Sequence, residues 1–514
     1  MKSKKAFLIT SLFLLALLLI DRFYYENFSI YNCDIITSDE VSDIIKNKNK
    51  MYDDISILYN GYIVPTAKMD DGNLIYILPQ GNRIDYKGSL QADGYNLAIV
   101  KPKLSKLKLM EKNESIEIIA YSKDYYKIID IFLTNLPVIN LKPISYEYDI
   151  YRDGTEYEIV TGKMQIINPN GNESNNAYEV HECLAKYHIR GSSSRGYPKH
   201  SYKLNLIDEF GKKDNEKLLE MRNDNDWILN AMYLDESKVR EKVSFDLWNY
   251  MNQNTKHNSK YVELIIDEKY RGLYLLQEPV DNKTFGIKKE NSIIYSTKNN
   301  MINHAVLFSD SVLEYLYKNI IVDEFEIKVY DYNQCKEAIK LLRCIVKDLE
   351  SNKNNINIEY DVNNFVDYQL FINMIAAVDN SYKNQIFVIK TRNNNNYFEK
   401  TVWDLDISML KNTYEEHNVN EIMVDNLIPA KIKNSSEYKR KLVESYSKYR
   451  KKFYNIDIIM SILDTHFSTI ENGGAILRDI ERWNNDEYFE TKEMLYDFFD
   501  KRIKVLDEYY DYGG

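Results

Sequence analysis

Apolar residues alternate with polar ones through much of the first half of the chain and follow a helical rhythm through much of the second. Between residues 30 and 140, short apolar runs such as Leu74–Leu78, Ser115–Ala120 and Ile128–Phe132 lie among the turn pairs Asp71-Gly72, Gly81-Asn82 and Asp93-Gly94. That pattern predicts a small β sandwich or barrel. It carries no catalytic constellation and reads as a spacer or docking module. Leu136-Pro137 and Lys142-Pro143 mark a boundary, after which strands are expected at Glu147–Tyr151, Glu156–Ile159 and Cys183–Ile189, with a polar loop at Gly171–Asn176. Tyr202, Leu204 and Leu206 alternate with Ser201, Lys203 and Asn205, a strand with one apolar face. Asp226–Tyr233 reads as an apolar strand or short helix.

Val239, Val243, Leu247, Tyr250 and Met251 form a helical stripe behind Asp235 as N-cap, and Glu241, across the helix from the stripe, reads as a surface charge. Tyr261–Ile266 and Arg271–Leu276 predict a hairpin, and Pro279 breaks the chain after it, as a linker would. From about residue 310 the chain reads as helical. Asp361 caps a segment, Val362–Val378, that is apolar nearly all round and therefore buried. It delivers the chain to Asp379 on a loop. A strand Gln385–Lys390, a polar turn Asn393–Asn396 and a second strand ending in Trp403-Asp404-Leu405-Asp406 follow. The last helix, Tyr488–Tyr510, is core packing.

With 514 residues the chain is too long for one compact domain. The partition predicted is 1–28 as signal or membrane anchor, 29–140 as a β-rich domain, 141–280 as a mainly β lobe and 281–514 as a helical lobe. The net charge of −11 and the lack of a basic block argue against a nucleic-acid partner. Cys33, Cys183, Cys335 and Cys344 form no CxxC pair and no Cys/His set with zinc spacing. Buried or free thiols are expected, with a Cys335–Cys344 disulfide as the alternative. His200 reads as a satisfied loop histidine. Lys2, Lys4 and Lys5 precede the apolar run Ala6–Ile20, which Asp21-Arg22 end. No small-x-small cleavage site follows, so the run is expected to stay as a membrane anchor with most of the chain outside, a cleaved signal peptide being the alternative.

Two stretches carry candidate chemistry. In Asp379–Asp406 both ends of a hairpin bear metal-type oxygens: Asp379, Asn384 five residues on, then Asp404 and Asp406. Protein kinases use the same order, an Asp for the hydroxyl proton, an Asn five residues later and a further Asp for the metal ions. The preceding His-Arg and following Phe-Gly are missing, and an ordinary Asn-turn hairpin with solvated carboxylates stays open. The second stretch is HIRGSSSRGYPKHSYKLNL, His188–Leu206. Its small residues Gly191–Ser194 could wrap an anion, Arg190 and Arg195 offer forked donors, and Lys203 on the polar strand face could reach phosphates. A surface hairpin with solvated basic residues is the alternative.

Taken together, these stretches resemble the CotH-type spore-coat protein kinases. HIRGSSSRGYPKHSYKLNL is similar to the family's RGNSSR-then-KxSY signature, with Ser192 where the family has Asn. YVELIIDEKYRGLYLLQEPVD resembles its G-x-Y-x-G-x-Y-x-x-x-E hairpin, with Glu268 at the first Gly, and Asp379–Asp406 resembles its D…N…WDxD core. The resemblance covers roughly residues 140–510. It implies an α+β, atypical two-lobed protein-kinase-like fold that transfers phosphate from ATP, with Mg²⁺ or Mn²⁺, to Ser or Thr of spore-coat or surface proteins. Asp379 would be the catalytic base, and Asn384, Asp404 and Asp406 the metal residues. Arg190, Ser193, Ser194, Arg195 and Lys203 would bind ATP, with Glu278 at the linker near adenine. An inactive, kinase-like structural protein of the spore coat or cell surface is the alternative.

Overall fold

The computed structural model describes residues 33–513 apart from 81–88, 102–105, 151–153, 170–178, 192, 298–319, 323–324, 329–331, 352–357, 394, 411–417 and 484–487. The apolar run Ala6–Ile20, the loop Gly171–Asn176 and Ser192 lie outside the described residues. Among those described, no helix is long and apolar enough to cross a membrane. The fold is mixed α+β and divides into two compact units. The first takes in residues up to Ala231, Lys260–Leu276 and Phe467–Asn485; the second takes in Met232–Ser259, Gln277–His466 and Asp486–Gly514.

In the first unit seven strands close on themselves: Val138–Ile150, Glu156–Asn168, Glu179–Arg190, Ser201–Ile207 and Asp226–Asn230 in succession, then Lys269–Gln277 and Ser259–Ile266. The last of these pairs in parallel with Val138–Leu141, which completes the ring. Closure removes exposed sheet edges. The alternation read for Tyr202, Leu204 and Leu206 follows from it, since all three are buried inside a wall whose other face is solvated. The expected N-terminal strands are present as Leu74–Pro79, Ile116–Tyr121 and Tyr125–Thr134, packed on a core that includes Ile57, Ile99, Ile118 and Leu133. Unexpected there is a helix, Ser38–Asn47, opened by a reciprocal capping box between Thr37 and Glu40.

A late helix, Ala475–Trp483, packs in this first unit through buried ion pairs. Arg478 grips Glu263 through two donors at 2.7 and 2.9 Å, and Asp479 accepts from Lys199 Nζ at 2.6 Å and from the Leu273 N–H at 2.9 Å. Gly272, at φ +97°, makes room for this approach, because a Cβ there would stand 2.1 Å from Asp479 Oδ1.

The second unit is built on the helix Val362–Met374 and a six-stranded sheet that contains the hairpin Ile386–Arg392 and Asn395–Thr401. Asp361 caps the helix as expected, its carboxylate accepting from Asn363 N–H at 2.9 Å. Stacked rings at 4.8–5.2 Å, Tyr295–Phe387–Phe398–Phe365, lock sheet to helix. Arg502 of the C-terminal helix Tyr488–Tyr509 donates to the Asn373 carbonyl at 2.7 Å, a cation at the carboxyl end of the buried helix. The chain does not simply turn helical after residue 310. Ile320–Val322 and Phe325–Lys328 pair as strands beside Ser292–Thr297 before the helix Tyr332–Glu350 begins. All four cysteines are free.

Candidate functional site

The buried helix ends at Met374, and the chain turns through Ala376 at φ 47° into a one-turn helix, Asp379–Tyr382. Asp379 therefore opens a helical turn rather than sitting in a loop. It is 7% exposed. Its carboxylate pairs with Lys383 Nζ at 3.0 Å and accepts from the Tyr382 hydroxyl at 3.3 Å. Asn380 behind it donates to the Trp403 carbonyl at 2.8 Å, tying this turn to the far end of the hairpin.

Asn384 enters the hairpin at φ 53° and Asp404 leaves it at φ 58°. Both lie in the left-handed region, which Asn and Asp tolerate better than most side chains. The antiparallel register brings these ends together, and Asn384 Nδ2 donates to Asp404 Oδ2 at 2.8 Å. The hairpin is anchored by a buried network: Lys400 Nζ binds both oxygens of Asp425 at 2.7 Å, and Gln385 Nε2 reaches Asp425 at 3.1 Å and the Asn380 carbonyl at 2.8 Å. The second strand ends at Thr401, so Trp403–Asp406 is an irregular segment held by side chains.

Glu241 supplies one of those side chains, and the surface reading of it is overturned. It is 2% exposed, and its carboxylate accepts the Leu405 N–H at 2.6 Å, between Asp404 and Asp406. Burial and then Asp406 and Asp404 push Glu241 well above the usual carboxylate range. Burial, Asp404, Asp235 and Asp379 likewise push Asp406 up. Asp235 is not the helix N-cap. Val239 holds that position in front of Arg240–Met251. Asp235 instead accepts from the Arg240 N–H at 2.9 Å and its guanidinium at 2.6 Å, while Arg240 also donates to the Ser408 carbonyl at 3.2 Å. Exposed Asp404 thus stands beside two carboxylates, Glu241 and Asp406, that burial and neighbouring negative charge hold toward their neutral forms. Such a cluster is stabilised by a cation. Its oxygens are not gathered as tightly as a dehydrated ion would need, because the trio of His, Cys, Asp or Glu that is so gathered among the described residues lies elsewhere.

Glu241→Gln is expected to keep the Leu405 bond through its amide oxygen and to fold normally, whereas Glu241→Ala leaves that N–H unpaired and costs about 1–3 kcal/mol. Denaturant unfolding of the two variants checks this, and equal destabilisation would contradict it.

The other predicted residues belong to other elements. In the first unit, Gly191 turns at φ +117°, where a Cβ would strike Ser194 Oγ, and Ser193–Gly196 form one turn of 3₁₀ helix. Lys203 forms an ion pair with Asp226. Lys203 and Arg190 also help burial push His188 down to about 4. Arg195 lines a separate cavity of about 530 Å³ together with Tyr187, His200, Tyr202 and Arg271. His200 Nδ1 is buried there without a hydrogen-bond partner, contrary to the satisfied histidine expected. Lys199, the lysine of the KxSY stretch, is committed to Asp479 and to the face of Tyr274 at 4.7 Å. Glu278, in the second unit, is buried and accepts from Asn258 Nδ2 at 3.2 Å.

Comparison with known proteins gives the family. The family model described as CotH kinase protein matches residues 187–511, and the chain belongs to that family. A search of curated proteins finds no match to the chain.

Proposed function

We propose that the chain is an atypical two-lobed protein kinase that moves the γ-phosphoryl group of ATP to Ser or Thr hydroxyls of spore-coat or surface proteins, with Mg²⁺ or Mn²⁺ as its cation. What supports the reading is the convergence of Asp379, Asn384, Asp404 and Asp406 at the ends of one hairpin, in a member of the CotH kinase protein family. Phosphoryl transfer asks the protein for positioning and charge neutralisation more than for covalent chemistry. In this reading Asp379, braced by Lys383, orients the acceptor hydroxyl and takes its proton as the oxygen attacks phosphorus and ADP leaves. The oxygens of Asn384 and Asp404, with Asp406 as a third carboxylate nearby, would hold the cation, which would supply positive charge against the transferred phosphate. Glu241 keeps Asp404 in place by fixing the Leu405 N–H. Lys203 contacts phosphate, Arg190, Ser193, Ser194 and Arg195 shape the loop around it, and Glu278 marks the linker near the adenine. The N-terminal apolar segment anchors the protein, or exports it, with most of the chain outside the cytoplasm.

One observation favours the inactive, structural reading: Lys203 is already engaged by Asp226, so phosphate would have to compete for it. Nucleotide-dependent thermal stabilisation separates the two. ATP with Mn²⁺ is expected to raise the melting temperature more than either alone, since a ligand at 100 times its Kd adds about 2.7 kcal/mol to the folded state. No shift with ATP and Mn²⁺ together would favour the structural reading.

A further inference from the structure

No Cys/His ligand set is legible in the sequence, yet the fold assembles one. His181 and Cys183 lie two residues apart on the strand Glu179–Arg190, so the period of two places both on one face. Between Ser201–Ile207 and Asp226–Asn230 the chain forms a small ribbon in which Glu216–Lys217 pairs with Asn223–Asp224. The ribbon carries Glu216 to that face. One ligand atom each from His181, Cys183 and Glu216 lies within 4.8 Å of the other two, and all three residues are half-buried. His181 Nε2 stands 2.7 Å from a Glu216 oxygen. The nitrogen is shut from water, and the pair is out of hydrogen-bond alignment. A buried polar atom so placed calls for another partner, and an ion is one that fits.

We propose that His181 Nε2, Cys183 Sγ and a Glu216 carboxylate oxygen bind a zinc-type divalent cation, with water in the remaining position. Imidazole and thiolate favour Zn²⁺ over Mg²⁺ or Mn²⁺. Metal–ligand distances of about 2.0–2.3 Å in a tetrahedron put the ligand atoms roughly 3.3–3.8 Å apart, within reach of the present spacing after His181 and Glu216 part by roughly 0.6 Å. Asp214 and Glu216 surround Cys183 with negative charge that a cation neutralises. The site pins the ribbon to the barrel wall. It lies in the first unit and does not rest on the kinase reading.

The test uses the full chain, stripped by chelator and titrated with Co²⁺ as a spectroscopic probe and with Zn²⁺ as competitor. One equivalent of Co²⁺ is expected to give a sulfur-to-cobalt charge-transfer band and tetrahedral visible bands. Zn²⁺ displaces them and Mg²⁺ does not. Cys183→Ala and His181→Ala are expected to abolish the charge-transfer band, Cys344→Ala to leave it unchanged, and Glu216→Gln to weaken Co²⁺ binding at least tenfold. Glu216→Gln alters only the small ribbon and keeps the test informative should a strand variant fail to fold. No band in the wild-type chain, or a band that survives in Cys183→Ala, would overturn the proposal and leave the trio as an imidazole–carboxylate contact beside a thiol.

Discussion

Asp404→Ala is expected to abolish phosphoryl transfer and leave the chain folded. Asp404 is exposed, so its loss removes no packing. Its side chain also relieves repulsion when it goes, because it is one of the charges that push Glu241 and Asp406 up. What disappears is the carboxylate that Asn384 meets at the mouth of the hairpin, and with it the proposed anchor of the cation. Removing a group that stabilises transition-state charge costs on the order of 10²–10³ in rate for a single donor, and a metal anchor is expected at or beyond the upper end, about 4 kcal/mol. Asp379→Asn should lose as much rate by a different route, since the amide cannot take the hydroxyl proton. It should still show the ATP-dependent thermal shift that Asp404→Ala loses. ADP release beside thermal melts checks both variants, and near-normal turnover in either would contradict the assignment.

The largest expected effect on stability lies in the first unit. Lys199 and Asp479 are both almost entirely buried, at 1% exposed each, and Asp479 also holds the Leu273 N–H. Breaking a buried pair from one side strands the other charge without water, which costs about 3–5 kcal/mol. Asp479→Ala, which leaves the Lys199 ammonium its bond to the Leu273 carbonyl but removes its buried counter-charge, is therefore expected to unfold the first unit at markedly lower denaturant. Joint replacement of Lys199 by Met and Asp479 by Leu should recover only part of that loss, because it removes both buried charges but leaves the Leu273 N–H and carbonyl without the partners they have now. Denaturant unfolding of the single and double variants decides it. An Asp479→Ala protein as stable as wild type would show that the late helix is held by apolar packing alone.

The sequence revealed the local features of this site and hid the tertiary ones. The hairpin with Asp379, Asn384 and Asp404 at its ends was readable because spacing within one element sets it, and the buried helix before it was readable from its nearly continuous apolar surface. Glu241 was misread because the helix Arg240–Met251 buries polar residues as well as apolar ones, so the stripe did not mark its buried face. Asp479 gave no signal, since its burial comes from a strand two hundred residues earlier. The same holds for Glu216, brought to His181 and Cys183 by a ribbon too short to show a pattern. The helix Ser38–Asn47 was in principle readable. Thr37 and Glu40 have capping-box spacing, but the surrounding strand signals dominated.

The most direct test of the central claim is the intact mass of the full-length chain after incubation with ATP and Mg²⁺ or Mn²⁺, with an added spore-coat protein extract as acceptor. The kinase account predicts a phosphoryl mass gain on the chain or on an acceptor in the wild-type reaction, and none with Asp404→Ala. A wild-type protein that binds ATP yet transfers nothing to itself or to any acceptor, or an Asp404→Ala protein that transfers as well as wild type, would contradict it.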